Sequence, residues 1–127
     1  MKSEKLNIIL AGNNPNRCNN MASRLRYQGH KVDLISSGFQ VLSEIEKKDT
    51  DYYIVFFLGD GLDEMMALEA ISHIRVVKSQ EKLFIIHVVD ENSEVVHSIQ
   101  EGANVVLADE NFNKIVEALE TAIKTIK

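Results

Sequence analysis

The sequence contains no tryptophan, one proline and one cysteine among its 127 residues. Because Cys18 has no second cysteine to pair with, the fold must be stable without a disulfide bond inside the chain. The sequence also lacks an apolar run of membrane-spanning length and an apolar segment behind a basic leader. We therefore expect a cytoplasmic protein that does not insert into a membrane.

Basic residues are in the minority and are spread along the chain. There are 14 lysines and arginines against 19 aspartates and glutamates, which gives a formal net charge of −5. A protein that binds a phosphate backbone needs its basic side chains gathered on one surface. We therefore expect no nucleic-acid partner.

Apolar residues, in contrast, are abundant. They make up 45% of the sequence, which is enough for one hydrophobic core in a chain of this length. We find no internal repeat, low-complexity segment or interdomain linker. The expectation is a single domain over residues 1–127.

Five short apolar runs alternate with five segments of helical periodicity. The alternation predicts an α/β protein, a three-layer (βα)5 doubly wound parallel sheet with helices on both faces. The second strand alternates polar and apolar residues, as edge strands do, which favours the strand order 2-1-3-4-5. The predicted strands are 6–11, 32–35, 52–58, 83–89 and 105–108, and the predicted helices are 15–28, 38–48, 63–78, 92–101 and 112–126.

The carboxyl ends of parallel strands meet at one edge of a sheet, and ligands of doubly wound folds bind in the crevice there. Gly12 and Asn13 follow the first predicted strand and Gly59 follows the third. His87 lies near the end of the fourth strand and Asp109 follows the fifth. These five positions are the candidates for a functional site.

Three segments, in this order and spacing, resemble the receiver domains of two-component response regulators. They are AGNNPNR at 11–17, ALEAISHIR at 67–75 and EGAN at 101–104. The resemblance covers residues 6–126, and the length and layout are similar to those of the single-domain chemotaxis regulators. It implies a flavodoxin-like receiver fold and a role in bacterial two-component signalling.

The resemblance also implies where a phosphorylation site would lie, and this chain departs from the family there. Receivers hold Mg²⁺ with two carboxylates after the first strand, where this chain has Gly12 and Asn13. The phosphoacceptor aspartate at the end of the third strand is Gly59 here. The serine or threonine of strand four and the lysine after strand five correspond to His87 and Asp109.

These departures predict a pseudo-receiver that is not phosphorylated. A carboxylate at position 109 that lies about 4 Å from a phosphoryl oxygen would cost on the order of 4 kcal/mol at an effective dielectric of about 20. The aromatic switch residue of strand five is Val106, which has no ring to change rotamer. We expect no enzymatic activity, no cofactor and no bound metal.

Protein contacts remain as the expected function. Receivers bind partners, and form dimers, through helix four, strand five and helix five. The expected partners are a signalling kinase, a regulator or a second copy of this chain. The corresponding positions are Glu94, His97, Ser98, Glu101, Asn104, Val106, Glu110 and Asn113.

Two alternatives stay open. Asp60, one residue beyond the expected acceptor, would serve as phosphoacceptor if the alignment were shifted by one residue. Alternatively, the crevice could hold a small ligand or an enzymatic site with His87 as acid or base, although no phosphate-binding glycine motif follows strand one. A hydrogen-bonded or charged pair between His87 and Asp109 is a further hypothesis for this crevice.

Some remaining residues are expected to have ordinary structural roles. Cys18 has helical spacing with apolar neighbours, so we expect it in the core. Asp63 and Glu64 are interpreted as favourable charges at a helix N-terminus. His30 and His73 lack the spacing of metal ligands and are expected on the surface.

Overall fold

The computed structural model describes residues 6–47, 54–80 and 82–126. In these ranges five parallel strands alternate with five helices, and the sheet has the order β2-β1-β3-β4-β5. The predicted (βα)5 architecture and strand order are confirmed. The elements are β1 (Asn7–Ala11), α1 (Pro15–Tyr27), β2 (Lys31–Ile35), α2 (Gly38–Glu46), β3 (Ile54–Leu58), α3 (Ala67–Val77), β4 (Phe84–Val88), α4 (Glu94–Glu101), β5 (Val105–Leu107) and α5 (Phe112–Ile126).

The two faces of the sheet carry separate apolar cores. Phe56 of β3 packs with α1 and α5, whereas Phe57, the next residue, packs with α2 and α3. Every residue of β3 and β4 is buried, and full burial of one large apolar side chain stabilises the fold by about 1.5–3 kcal/mol. Cys18 lies in the first core as expected. The central strands therefore form a rigid support for the loops at their ends.

Local sequence explains most of the helix ends. Asn14 caps α1 by accepting a hydrogen bond from the Arg17 N–H at 3.1 Å, and Pro15 takes the first helical position. Gly102 ends α4 with a φ of 124°, a conformation that side chains disfavour. None of the helices in the described ranges has the length and apolar character needed to cross a bilayer.

The start of α3 differs from its prediction. The helix begins at Ala67 and not at residue 63, because a loop precedes it that pairs with other parts of the chain. Asp63 bridges to Ser37, and Glu64, with a φ of 73°, accepts a hydrogen bond from the Ser37 hydroxyl at 2.6 Å. Asp63 and Glu64 are therefore not charges in the first turn of α3, as the predicted start of that helix implied. The predicted end of α2 at residue 48 and the start of β3 at residue 52 lie outside the described residues.

Two basic side chains have structural roles that the sequence did not indicate. His30 is buried, and its Nδ1 accepts from the Leu6 N–H at 3.2 Å, so its assignment to the surface is wrong. Arg75, at the C-terminal end of α3, fastens that helix to β4 and to the turn after α4. Its guanidinium donates to the backbone oxygens of Lys78, Ser79, Leu83 and Gly102 and to Oδ1 of Asn104.

Candidate functional site

A network of charged side chains fills the edge of the sheet where β1, β3 and β4 end. Arg17, in the first turns of α1, donates through Nη1 to Asp90 and through Nε to Glu110, each at 2.8 Å. The Asp60 N–H donates to Asp90 Oδ2 at 2.9 Å, and the Asp90 N–H donates to Asp60 Oδ2 at 3.1 Å. These contacts hold together the loops that follow β3, β4 and β5. We call Arg17, Asp60, Asp90 and Glu110 the crevice network.

His87 extends this network into the protein interior. It pairs with Phe57 on β3 and Val106 on β5 in the sheet register, and it is fully buried. Its Nδ1 lies 2.8 Å from the buried hydroxyl of Ser98 on α4, and its Nε2 lies 2.9 Å from the Gly59 carbonyl oxygen. A carbonyl can only accept, so Nε2 carries the proton, and in the neutral ring Nδ1 accepts from Ser98.

Asp60 directs one carboxylate oxygen at the same histidine. Its Oδ1 lies 3.2 Å from His87 Nε2, whose proton points to the Gly59 carbonyl. Among the buried side-chain atoms of the described residues, Asp60 Oδ1 lacks a hydrogen-bond partner. The His87 ring is therefore set against a carboxylate that would favour its charged form.

Burial and charge act in opposite directions on these groups. Burial lowers the pKa of His87, and the Gly59 carbonyl and the carboxylates of Asp60 and Asp90 offset this only in part. Burial alone would raise the pKa of Asp90, but the Asp60 N–H and the Arg17 guanidinium outweigh it and keep that pKa below its ordinary value. At neutral pH the site therefore contains a neutral imidazole and an ionised Asp90.

Gly59 lies directly under the Arg17 guanidinium. Its φ is 101°, and a Cβ at this position would lie 2.8 Å from Arg17 Nη1 and 3.1 Å from Asp90 Oδ2. The space into which a side chain at position 59 would extend is therefore already occupied. Position 59, which the resemblance to receivers aligns with their phosphoacceptor, has no carboxylate, and a side chain there would first have to displace the Arg17 guanidinium.

Gly59→Ala is expected to lower the free energy of unfolding by about 1 kcal/mol or more, because alanine is strained at this φ and would displace the guanidinium. Gly61→Ala is the matched control, since Gly61 lies in the same loop without a positive φ and its Cβ would meet only Asn13, at 3.3 Å. Urea unfolding of both variants measures the difference. Equal stabilities would contradict the packing described here.

The residues at the end of β1 do not form a cation site. A Cβ on Gly12 would lie 2.7 Å from Cys18 Sγ and 2.9 Å from the Leu58 carbonyl oxygen, and Asn13 offers only a neutral amide. The nearby carboxylates of Asp60 and Asp90 are bonded to backbone N–H groups and to Arg17. In the described part of the chain no three His, Cys, Asp or Glu side chains are grouped so that they could hold a metal ion. The Mg²⁺ of receivers does not fit these residues.

The hypothesis of a pair between His87 and Asp109 is wrong. Both ring nitrogens of His87 are engaged by Ser98, Gly59 and Asp60. Asp109 is exposed, accepts from the Asn111 N–H at 2.9 Å and lies 3.5 Å from Lys114 Nζ. That N–H, together with the Lys114 charge, lowers the pKa of Asp109.

Two surface depressions among the described residues lie away from His87. One surface depression of about 450 Å³ lies between α1 and the start of α5 and is lined by Arg17, Asn20, Met21, Arg24 and Glu110. Another, of about 310 Å³, lies near the ends of β1 and β2 and includes Gly12, Asn13 and Asp63. Neither depression is lined by His87, so these cavities do not support an acid or base role for it.

The predicted partner-binding positions divide into exposed and structural residues. Ser98 is buried against His87, so its expected exposure is wrong. Asn104 is half-buried and its Oδ1 accepts from the Ile85 N–H and from Arg75, which makes it a structural residue. Glu94 and Val106 are half-buried, while His97, Glu101, Glu110 and Asn113 are exposed, although Glu110 also binds Arg17.

Sequence reasoning missed Asp90 and assigned no role to Arg17. Asp90 directly follows the apolar run of β4, and Arg17 lies three residues after the N-cap of α1. Both positions reach the carboxyl edge of the sheet in a fold of this topology. The sequence signal for this ion pair is therefore a carboxylate at the end of a strand together with a basic residue near the start of a helix.

Three solved structures illustrate what the whole fold is similar to. A two-component response regulator from Clostridium difficile superposes with a TM-score of 0.80 at 14% identity, over 96% of this chain and 98% of that chain. The response regulator TrrA from Thermotoga maritima, in complex with Mg²⁺-BeF, gives a TM-score of 0.78 at 19% identity, over 92% and 98% of the two chains. A CheY-like receiver domain protein from Methanospirillum hungatei JF-1 gives 0.78 at 18% identity, over 95% and 98%.

The sequence itself gives no such match, since neither a family model nor a curated protein matches it. At identities this low the superpositions show the fold alone. That fold is the α/β, flavodoxin-like fold of response-regulator receiver domains, as predicted. Function has to be argued from the residues of the site.

Proposed function

We propose that this chain is a receiver-like signalling protein that does not accept a phosphoryl group and acts through protein contacts. The receiver fold of its structural neighbours supports the signalling role. The proposal that the chain does not accept a phosphoryl group is supported by the position of the Arg17 guanidinium. It occupies the space above Gly59 and is neutralised there by Asp90 and Glu110.

Phosphoryl transfer depends on placing a nucleophile and cations around the phosphoryl oxygens. Position 59 supplies no nucleophile, and positions 12 and 13 supply no anionic metal ligand. Arg17 is a cation in the crevice, but two carboxylates already bind it. A phosphoryl group would have to displace these contacts without the charge stabilisation that normally compensates.

Asp60 is a poor substitute for the missing acceptor. Its side chain is 16% exposed, with Oδ1 buried against His87 and Oδ2 accepting from the Asp90 N–H. An attacking carboxylate oxygen must be free to approach the phosphorus in line with the leaving group. Neither oxygen of Asp60 is free in this way.

Surface contacts are then the function that the fold leaves available. The predicted contacts that are exposed are His97 and Glu101 on α4 and Asn113 on α5. Helix α4 also exposes two apolar side chains, Val96 at 60% and Ile99 at 55%. The proposed partner is a protein of a bacterial two-component pathway, namely a signalling kinase, a regulator or a second copy of this chain. A cytoplasmic site of action belongs to the same proposal.

Incubation with acetyl phosphate and Mg²⁺ is expected to add no phosphoryl mass to the intact protein. A phosphorylatable receiver treated in parallel controls for the reagent, and Asp60→Asn is the matched variant. A phosphoryl adduct on the wild type that disappears in Asp60→Asn would overturn the proposal and identify Asp60 as the acceptor. An adduct that persists in the variant would overturn it as well.

The same treated and untreated samples, used as bait, test the protein-contact part of the proposal. We expect an identical set of bound proteins with and without acetyl phosphate, and weaker binding by Glu101→Lys. Lys124→Glu, on the far end of α5, is the control charge reversal. Binding that requires acetyl phosphate, or that both reversals leave unchanged, would contradict the proposed mode of action or the proposed surface.

A further inference from the structure

We propose that protonation of His87 loosens the attachment of α4 to the sheet, so that the α4 surface responds to acidification. The inference rests on the proposed function, because it names a regulator of the surface through which the protein would bind its partners. It stands on the contacts of His87 with Ser98 on one side and with Gly59 and Asp60 on the other.

The donor and acceptor roles of the His87 ring nitrogens change when the ring is charged. In the neutral ring Nε2 donates to the Gly59 carbonyl, while Nδ1 accepts from the Ser98 hydroxyl. In the charged ring both nitrogens carry protons and both must donate. The Ser98 hydroxyl must then turn from donor to acceptor and direct its own proton elsewhere. The link between β4 and α4 cannot keep its present form in both states.

Helix α4 has little else buried against the sheet. Of its eight residues Ser98 alone is buried, whereas Val96 and Ile99 are mostly exposed. A helix with few buried apolar contacts opens at a lower free energy than one packed into the core. The hydrogen bond between His87 and Ser98 is therefore the buried side-chain link from β4 to α4, whereas α3, β5 and the bond from Arg75 to Gly102 hold the helix from other sides.

The charged groups around His87 have opposing effects on its protonation. Asp60, on the loop after β3, and Asp90, on the loop after β4, favour the charged ring, and Arg17 of α1 neutralises part of the Asp90 charge. On α4, Glu94 and His97 lie 3.9 Å apart as a pair on the exposed part of the helix. Beside His87 in the sheet, β5 supplies the uncharged Val106. Burial dominates and keeps the pKa below its ordinary value.

The sign of the stability effect follows from this lowered pKa. In the unfolded chain histidine takes up its proton near pH 6.5, whereas the native ring resists until the pH is lower. The native state is therefore favoured above about pH 6.5, and it loses stability relative to the unfolded chain as the pH falls below that value. Once the pH falls through the native pKa, His87 takes the proton and the present hydrogen bond from the Ser98 hydroxyl to Nδ1 is lost.

Nuclear magnetic resonance between pH 8 and pH 5 tests the inference on the full chain. We expect the His87 ring to titrate, and the α4 amides to shift and lose exchange protection with the same midpoint. In Ser98→Ala the ring still titrates but the α4 amides no longer follow it. His97→Gln, which removes the exposed histidine of α4, should leave the wild-type response intact.

Three results would overturn the inference. One is a His87 ring that stays neutral down to acid unfolding, and another is an α4 helix that does not follow a titrating ring. A response that persists in Ser98→Ala would also overturn it, because the coupling would then bypass the proposed contact. The acetyl phosphate experiment is independent of these titrations, so failure of the proposed function can be told apart from failure of the pH response.

Discussion

Arg75→Met is expected to lower the free energy of unfolding by about 3 kcal/mol or more. Methionine keeps the apolar stem but removes every guanidinium donor. The arginine donates at 2.9 Å to the Gly102 oxygen, at 2.8 Å to the Leu83 oxygen and at 2.6 Å to Asn104 Oδ1. Partly buried acceptors that lose a charged donor cost about 1–3 kcal/mol each where water cannot replace it.

Arg75 stays positively charged although it is half-buried. Desolvation lowers the pKa of Arg75 to about 10, so the guanidinium remains protonated at neutral pH. Arg26→Met is the matched control, because Arg26 donates to a single partly buried carbonyl, that of Val32, at 2.7 Å. Urea unfolding at pH 7 should show a smaller loss for this control. If Arg75→Met lowers the free energy of unfolding by less than Arg26→Met does, the hydrogen bonds of Arg75 at the end of α3 do not stabilise the fold.

The strand order was predictable because burial leaves a direct trace in the sequence. A strand covered on both faces must be apolar at every position, and all residues of β3 are buried. The edge strand β2 instead exposes Lys31 and Leu34 and buries Val32 and Ile35, which lie on opposite faces of the sheet in separate cores, so it lacks the complete burial of the central strands. These patterns are local, so a single sequence is enough to recognise them.

The start of α3 could not be predicted in the same way. Residues 63–66 contain no helix breaker, and a local pattern allows them to continue the helix. Their conformation is decided by Ser37, whose backbone bridges to Asp63 and whose hydroxyl binds Glu64 27 residues away. A tertiary contact of this kind leaves no periodic signal.

The candidate site shows the same division between local and long-range information. The resemblance to receivers predicts which groups of a phosphorylation site positions 12, 13, 59 and 109 lack. It could not identify what fills the space, because Arg17 reaches Asp90 and Glu110 across 73 and 93 residues of sequence. The resemblance to receivers also predicts Ser98 on the partner-binding face. Only its contact with the neighbouring strand shows that its hydroxyl binds a buried histidine.

Arg17→Ala is expected to destabilise the protein by about 2 kcal/mol at pH 7 and low salt, since it removes two charged hydrogen bonds and leaves three carboxylates in one crevice. This expected loss of stability is smaller than for a fully buried ion pair, because the side chains of Asp90 and Glu110 are 46% and 39% exposed. Asp60 completes the trio through its backbone and side-chain contacts with Asp90. Chemical denaturation gives the size of the loss.

The pH dependence of this loss has a definite sign. Arg17 helps to hold the pKa of Asp90 below its ordinary value of 3.8, so its contribution is present above that pH and disappears as the pH falls through the native pKa. The difference between Arg17→Ala and wild type should therefore stay nearly constant down to about pH 4 and narrow only below 3.8, as the pH falls through the lowered native pKa of Asp90. A difference that stays constant there as well would show that Arg17 stabilises the fold by packing and not by charge.

Divalent cations give a second and more specific readout. In the wild type the guanidinium already neutralises the crevice, so Mg²⁺ should leave its stability unchanged. In Arg17→Ala the uncompensated carboxylates attract a cation, and Mg²⁺ should recover part of the lost stability by binding the native state. Arg24→Ala is the matched control, because Arg24 lies on the same helix but stacks on Phe112, 5.2 Å from the ring centre, outside the crevice network. If Mg²⁺ stabilises the wild type and Arg17→Ala equally, Arg17 does not take the place of a cation in this fold.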